Sequence, residues 1–227
     1  MKRIEKAKEP KSLEEHRAKG GDYEGLPHKD REEDLRKQLL SEQGFICCYC
    51  MKRIPQTLTQ EQINKNYPSS KIEHVLSQEN SPDLALIYSN LLVACNGNHG
   101  QPKSVQTCDT FKGKEDFHFN PSNFRNIEEL IKYKADGEIF SENERLNKEL
   151  DDVLNLNTYD LKRIRSERYK FYQDLYTREG KARQGKDIQK RFFETEKQKL
   201  LTKQGGKFDE YCMVGVYLLN KKLDKIK

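Results

Sequence analysis

The chain has 227 residues, 35% charged and 34% hydrophobic, with a net charge of +5 and a mean hydropathy of -1.02. That composition supports one modest core under a large solvated surface. No stretch approaches the roughly 18–20 apolar residues of a membrane span, and no apolar run follows Met1-Lys2-Arg3-Ile4-Glu5-Lys6, so a cytoplasmic protein without an export signal is expected.

In chain order, residues 1–30 are polar and broken by Pro10, Gly20-Gly21, Gly25 and Pro27, which predicts an arm with little regular structure. Between residues 29 and 43, Leu35, Leu39 and Leu40 are helix-spaced, and Gly44 stands where a glycine ends a helix. Residues 45–55 read as a short hairpin or knuckle, and residues 56–70 as a polar connection. Strands are expected over residues 71–76 and 90–95, with a short helix from Pro82 to Tyr88 between them. A loop over residues 96–107 then leads to a helix starting at Cys108. Asp136-Gly137 signals a second hairpin. Ser141 with Glu144 three residues on forms a capping box, and helices follow over roughly 158–178 and 186–203. The last helix, from Phe208 to about Lys225, is the most apolar. It reads as core or as contact with a partner or a second copy, the latter expected from apolar surface that a small core does not cover. The expected fold is α+β, divided into an arm and first helix (1–44), a core (45–122) and a mainly helical region (123–227).

Six cysteines are too few for a disulfide scaffold. Cys47-Cys48-Tyr49-Cys50 contains a CxxC, the spacing with which one knuckle presents two thiolates to a tetrahedral zinc. Cys95 and Cys108 offer two more thiols, provided that the loop between them folds out and back. The alternatives are a thioredoxin-like redox pair, or Cys48 or His99 as substitute ligands. Cys212 reads as core.

Between the cysteine pairs lies Glu73-His74 on an expected strand. Such a dipeptide alone carries no information, since a lone histidine is usually a satisfied surface or core residue. Its setting adds Asn90 at the start of the next strand, and Asp109 and Lys112 one turn apart after Cys108. The order CxxC, Glu-His, Asn-Leu, Cys, Cys-Asp-x-x-Lys resembles the HNH, or ββα-metal, nuclease family. With Pro10-x-Ser12-Leu13, the Leu35–Gly44 pattern and Lys71-Ile72-Glu73-His74, residues 8 to about 122 look like the PtuB-type HNH subunits of Septu-type and retron-associated anti-phage defence systems. The sequence departs from the family pattern in three places. Asp109 stands where those enzymes carry His or Asn, Ser77 where relatives often carry proline, and twelve residues separate Cys95 from Cys108.

The resemblance implies a zinc-stapled ββα-metal core and a metal-dependent endonuclease. His74 would be the general base, Glu73 and Asp109 the ligands of one catalytic Mg2+ or Mn2+, Lys112 a phosphate contact and Asn90 a loop-fixing residue. Structural zinc would sit on Cys47, Cys50, Cys95 and Cys108. Partners would be a nucleic acid, DNA or RNA, and an ABC-type ATPase (PtuA-like), with a retron reverse transcriptase in some systems. Two rivals stand beside this: a stand-alone McrA-like restriction nuclease, and a non-catalytic zinc-ribbon binding module.

Residues 158–203 hold fourteen Lys/Arg against seven acids, interleaved with Tyr169, Tyr172, Tyr176, Phe192 and Phe193. Either this surface tracks phosphates with some base stacking, or it is a solvated helix face with its aromatics turned inward. His16, His28 and His118 have no partner nameable from sequence.

Overall fold

A computed structural model describes residues 1–55 and 70–226 of the chain. The expected polar connection over residues 56–70 lies outside these, except for Ser70. The architecture is α+β, about half helical, with two small antiparallel sheets among the described residues. Among the described residues, no helix is long and apolar enough to cross a membrane.

The first correction concerns the arm. Lys11–Ala18 forms helix α1, its first turn closed on the Pro10 carbonyl by the Leu13 and Glu14 amides. Met1, Ile4 and Leu13 are buried in the core. The Ile4 amide donates to the Pro121 carbonyl at 3.0 Å, and Lys6 Nζ donates to the Leu91 carbonyl at 3.0 Å. Arg17 grips both Glu9 oxygens and the Leu86 carbonyl. Composition hides this order because the arm is held by a few spaced apolar residues and long-range polar bonds, not by periodicity.

A π-helical turn, Asp30–Leu35, runs into α2, Arg36–Glu42, whose Leu39 and Leu40 face inward. Gly44 ends it in the left-handed region (φ +56). The Phe45 amide returns to the Leu40 carbonyl and the Gly44 amide to the Ser41 carbonyl, which satisfies the last helical carbonyls.

Strands β1, Ser70–His74, and β2, Leu91–Cys95, pair antiparallel with Ile72 opposite Val93 and His74 opposite Leu91. Every residue of β2 is buried. Between them, the expected short helix is two single 3-10 turns, Pro82–Leu84 and Tyr88–Asn90. Helix α3, Cys108–Lys112, follows the long loop, and α4 is Ile127–Leu130. The Asp136-Gly137 turn joins two-residue strands β3, Lys132–Tyr133, and β4, Ile139–Phe140.

Helix α5 is Glu144–Asp152, and its cap is Asn143, not Ser141: Asn143 Oδ1 accepts from the Leu146 amide at 2.9 Å. Ser141 Oγ instead accepts from the Asn143 amide at 3.2 Å. Helices α6, Tyr159–Ala182, α7, Lys186–Leu201, and α8, Cys212–Asp224, pack together. The apolar face of α8 is internal: Cys212, Met213, Val214, Val216, Leu218 and Leu219 are buried within this chain. The uncovered surface expected there is covered by α6 and α7 themselves. Tyr172, Tyr176 and Phe193 are also buried and lie ring against ring, which removes three of the five aromatics from any base-stacking role.

Candidate metal centre and adjoining cleft

The knuckle after α2 brings two thiols together. Ile46 pairs with Arg53, the Cys47 amide donates to the Lys52 carbonyl at 2.9 Å, and Met51 takes a left-handed conformation (φ 64). Cys95 ends β2. Beyond it the chain does fold out and back: the Thr107 amide donates to the Gly97 carbonyl at 3.0 Å, and Thr110 Oγ1 donates to the Asn96 carbonyl. Gly97 is required there, because a Cβ would lie 2.1 Å from the Thr107 oxygen. Cys108 then enters α3 with φ 55, its amide donating to the Leu154 carbonyl at 2.9 Å.

The four sulfur atoms lie within 4.8 Å of one another, and all four residues are buried. Cys47–Cys108 and Cys95–Cys108 are 3.8 Å apart, and Cys50–Cys95 3.7 Å. A tetrahedron with zinc–sulfur bonds of about 2.3 Å has edges of about 3.8 Å, so the donor set fits zinc in kind, number and spacing. Cys48 is buried outside this cluster and His99 is exposed.

Gln43 is a residue that sequence reading did not single out. Buried at the end of α2, its amide donates to the carbonyls of Ile46 and Val93 and accepts from the Val93 amide at 2.7 Å. It therefore sews the knuckle to β2 by three bonds, and the Cys48 amide adds a fourth to the Val93 carbonyl.

On the neighbouring side, α3 places Asp109 and Lys112 against β1. Glu73 is 1% exposed. Its Oε1 accepts from Tyr49 Oη at 2.6 Å and faces Lys112 Nζ at 3.2 Å. Its Oε2 is buried and has no hydrogen-bond partner among the described residues. Burial, and after it the Asp109 carboxyl, hold the Glu73 carboxyl well above the usual carboxylate range. Asp109 is itself paired with Lys71 at 3.3 Å. Two adjoining carboxylates with an unpartnered buried oxygen are a donor set that fits a hard divalent cation.

His74 is 8% exposed. One ring nitrogen, Nε2, lies 3.0 Å from the Ala85 carbonyl. A carbonyl only accepts, so Nε2 carries the proton and Nδ1 keeps its lone pair. Burial lowers the imidazole pKa to about 4, against the opposing pull of the Ala85 carbonyl. Tyr23, from the arm, packs edge-on against the ring with centroids 4.4 Å apart.

Asn90 bonds backbone only. Its amide nitrogen donates to the Leu76 and Leu84 carbonyls and its oxygen accepts from the Leu76 amide, which fixes the chain that carries the Ala85 carbonyl. Glu73, His74, Asp109 and Lys112 together line an open cleft of about 290 Å³ with Ser77 and Lys114. Away from it, His16 Nε2 donates to the Asp22 carbonyl at 2.8 Å. His118 Nδ1 pairs with Glu149 at 2.9 Å.

A scan against protein-family models finds no match to this chain, and neither does a search of the curated proteins.

Proposed function

We propose that the chain is a metal-dependent HNH-type endonuclease, with a ββα-metal core formed by β1, β2 and α3 over the zinc cluster. One observation carries this reading: an imidazole whose Nδ1 has no hydrogen-bond partner among the described residues, two adjoining carboxylates and a lysine converge on one cleft beside four clustered thiols. A pure zinc-binding module has no use for that convergence.

In this mechanism Nδ1 of His74 takes the proton from the attacking water. The bond from Nε2 to the Ala85 carbonyl fixes the tautomer and turns with the imidazolium as it forms. Asn90 acts indirectly, by holding that carbonyl in place. Glu73 and Asp109 are the residues that would hold a divalent cation, whose charge offsets that on the phosphate and the departing oxygen. Lys112 Nζ faces Glu73 at 3.2 Å and Lys71 Nζ faces Asp109 at 3.3 Å. Through the resemblance to Septu-type nuclease subunits, the reading extends to anti-phage defence alongside an ABC-type ATPase, and with a retron where one is present.

A second reading, the non-catalytic zinc module, draws on those same two ion pairs, which already neutralise both carboxylates. His74→Ala separates the two. Loss of an aligned general base costs about 10²–10⁴-fold in rate, so nucleic-acid cleavage by the chain with its ATPase should fall to near background while zinc content is unchanged. Asp109→Ala should lose activity too, but raised Mn2+ should restore part of it, as it should not for His74→Ala. Cleavage by His74→Ala at the parental rate would overturn the nuclease reading. Cleavage by the parent without any ATPase would make it a stand-alone nuclease.

A further inference from the structure

The chain's excess positive charge gathers far from the cleft. Residues 178–191 hold six Lys/Arg against two acids, and Lys221, Lys222 and Lys225 stand against Asp224. Together these amount to a net of +6, more than the +5 of the whole chain. The fold brings both stretches to one pole. Lys222 Nζ donates to Thr177 Oγ1 at 3.0 Å, which ties the end of α8 to the end of α6. The Gln189 amide donates to the carbonyls of Gly180 and Arg183, which ties the start of α7 to the same place.

Lys181, Lys186, Lys190, Arg191 and Lys225 are exposed and Lys222 is half-buried, and none of the six has an ion-pair partner among the described residues. Partial burial, then Lys225 and Lys181, hold the Lys222 ammonium below the ordinary lysine range. Lysines at the ends of α6 and α8 are expected from helix dipoles. Lys186 is not: it is the first residue of α7, where the dipole disfavours a cation, while Lys190 and Arg191 lie in the next turn. Helix stability therefore does not account for Lys186, whereas a polyanion does.

We propose that this three-helix pole binds the sugar-phosphate backbone of a nucleic acid. The assignment rests on the nuclease reading for its choice of a nucleic acid over an acidic protein. The exposed side chains of the pole include six cations but also Asp187, Ile188 and Asp224, and no fully exposed aromatic, so the contact is to phosphates and independent of sequence. Helix α6 starts beside the zinc cluster, where Thr158 and Leu161 share a cleft with Cys50 and Cys95. Its 24 residues carry the pole about 36 Å away at 1.5 Å per residue.

The test uses the zinc-loaded full chain carrying His74→Ala, so that substrate is bound but not cut. Its affinity for a labelled 30-base-pair DNA and for a single-stranded RNA of the same length is read by anisotropy between 50 and 200 mM salt. Adding Lys181→Glu, Lys190→Glu and Lys222→Glu should weaken binding of the preferred polymer at least tenfold at 50 mM salt. It should also flatten the salt slope by about two to three units, at about 0.9 per lost phosphate contact. Reversal of Lys11, Lys37 and Lys148, which makes the same change in net charge elsewhere, should do neither. Far-ultraviolet dichroism and zinc content check folding, and the milder Lys→Gln triple should give an intermediate loss. Unchanged affinity and slope in the pole variant overturn the proposal, and do so also where that variant loses only a protein partner. The two readings fail separately. If the pole variant built on the parental His74 still cuts normally, the pole is wrong and the nuclease stands. If His74→Ala cuts normally while the pole variant loses binding, the reverse holds.

Discussion

Tyr49 is the residue through which the two halves of the centre meet. It sits inside the CxxC knuckle, is fully buried, and donates its hydroxyl to Glu73 across 24 positions of sequence. The Cys-x-Tyr-Cys pattern marks the residue but not its role, because a tyrosine between cysteines reads as packing until the fold supplies its partner. Tyr49→Phe keeps the ring but leaves a buried Glu73 oxygen short of a donor, a loss of about 1–3 kcal/mol of stability. Denaturant unfolding should read that loss with zinc content intact, and cleavage should fall because Glu73 is less firmly placed. Lys112 makes a sharper case. Lys112→Met leaves the buried Glu73 carboxyl without its hydrogen-bonding neighbour, at a cost of about 1–3 kcal/mol. The double variant Lys112→Met/Glu73→Gln should recover part of that stability while remaining inactive. Recovery of stability together with activity would remove Glu73 from the chemistry.

Elements were legible where the signal was local. The helix spacing of Leu35, Leu39 and Leu40, the glycine at 44 and the Asp136-Gly137 turn all appear as expected. Gly44→Ala should be costly for two reasons, its positive φ and a Cβ 2.5 Å from the Phe208 ring and 2.8 Å from the Phe208 amide nitrogen. We expect a loss of at least about 1 kcal/mol in chemical denaturation. The start of α5 was misread by two residues because Ser141 and Asn143 both offer a capping oxygen, and only tertiary placement decides between them. Asn143→Ala should therefore cost about 1 kcal/mol as a lost N-cap. Equal stability of that variant and the parent would return the cap to Ser141.

For the whole molecule, the quartet of cysteines, the strand pair and the α+β class could be read from spacing, since CxxC and alternating apolar runs are short-range patterns. The ordered arm and the Gln43 stitch could not, because each depends on a partner at least 50 residues away, Leu91 for Lys6 and Val93 for Gln43, and the internal face of α8 needs both α6 and α7 in place. The covered face of α8 reverses one expectation. Truncation before Phe208 should strip the cover from Tyr172, Tyr176 and Phe193 and yield aggregated chain in place of a folded species that has lost its partner. A soluble, cooperatively folded truncation would show that α8 is an appendage.

All of these elements converge on the claim that four thiolates staple the knuckle, β2 and α3 around one zinc, and thereby hold Glu73 and His74 against Asp109 and Lys112. Zinc per chain, measured by native mass spectrometry on protein purified without added metal and repeated after chelation, tests it most directly. The account predicts one zinc per chain, retention of that zinc in His74→Ala, and its loss in Cys108→Ser. Removal should abolish cooperative thermal unfolding, because in a core this lean the metal-binding free energy is folding free energy. A folded, cooperatively melting chain with no zinc, or a Cys108→Ser variant that still holds one, would contradict it.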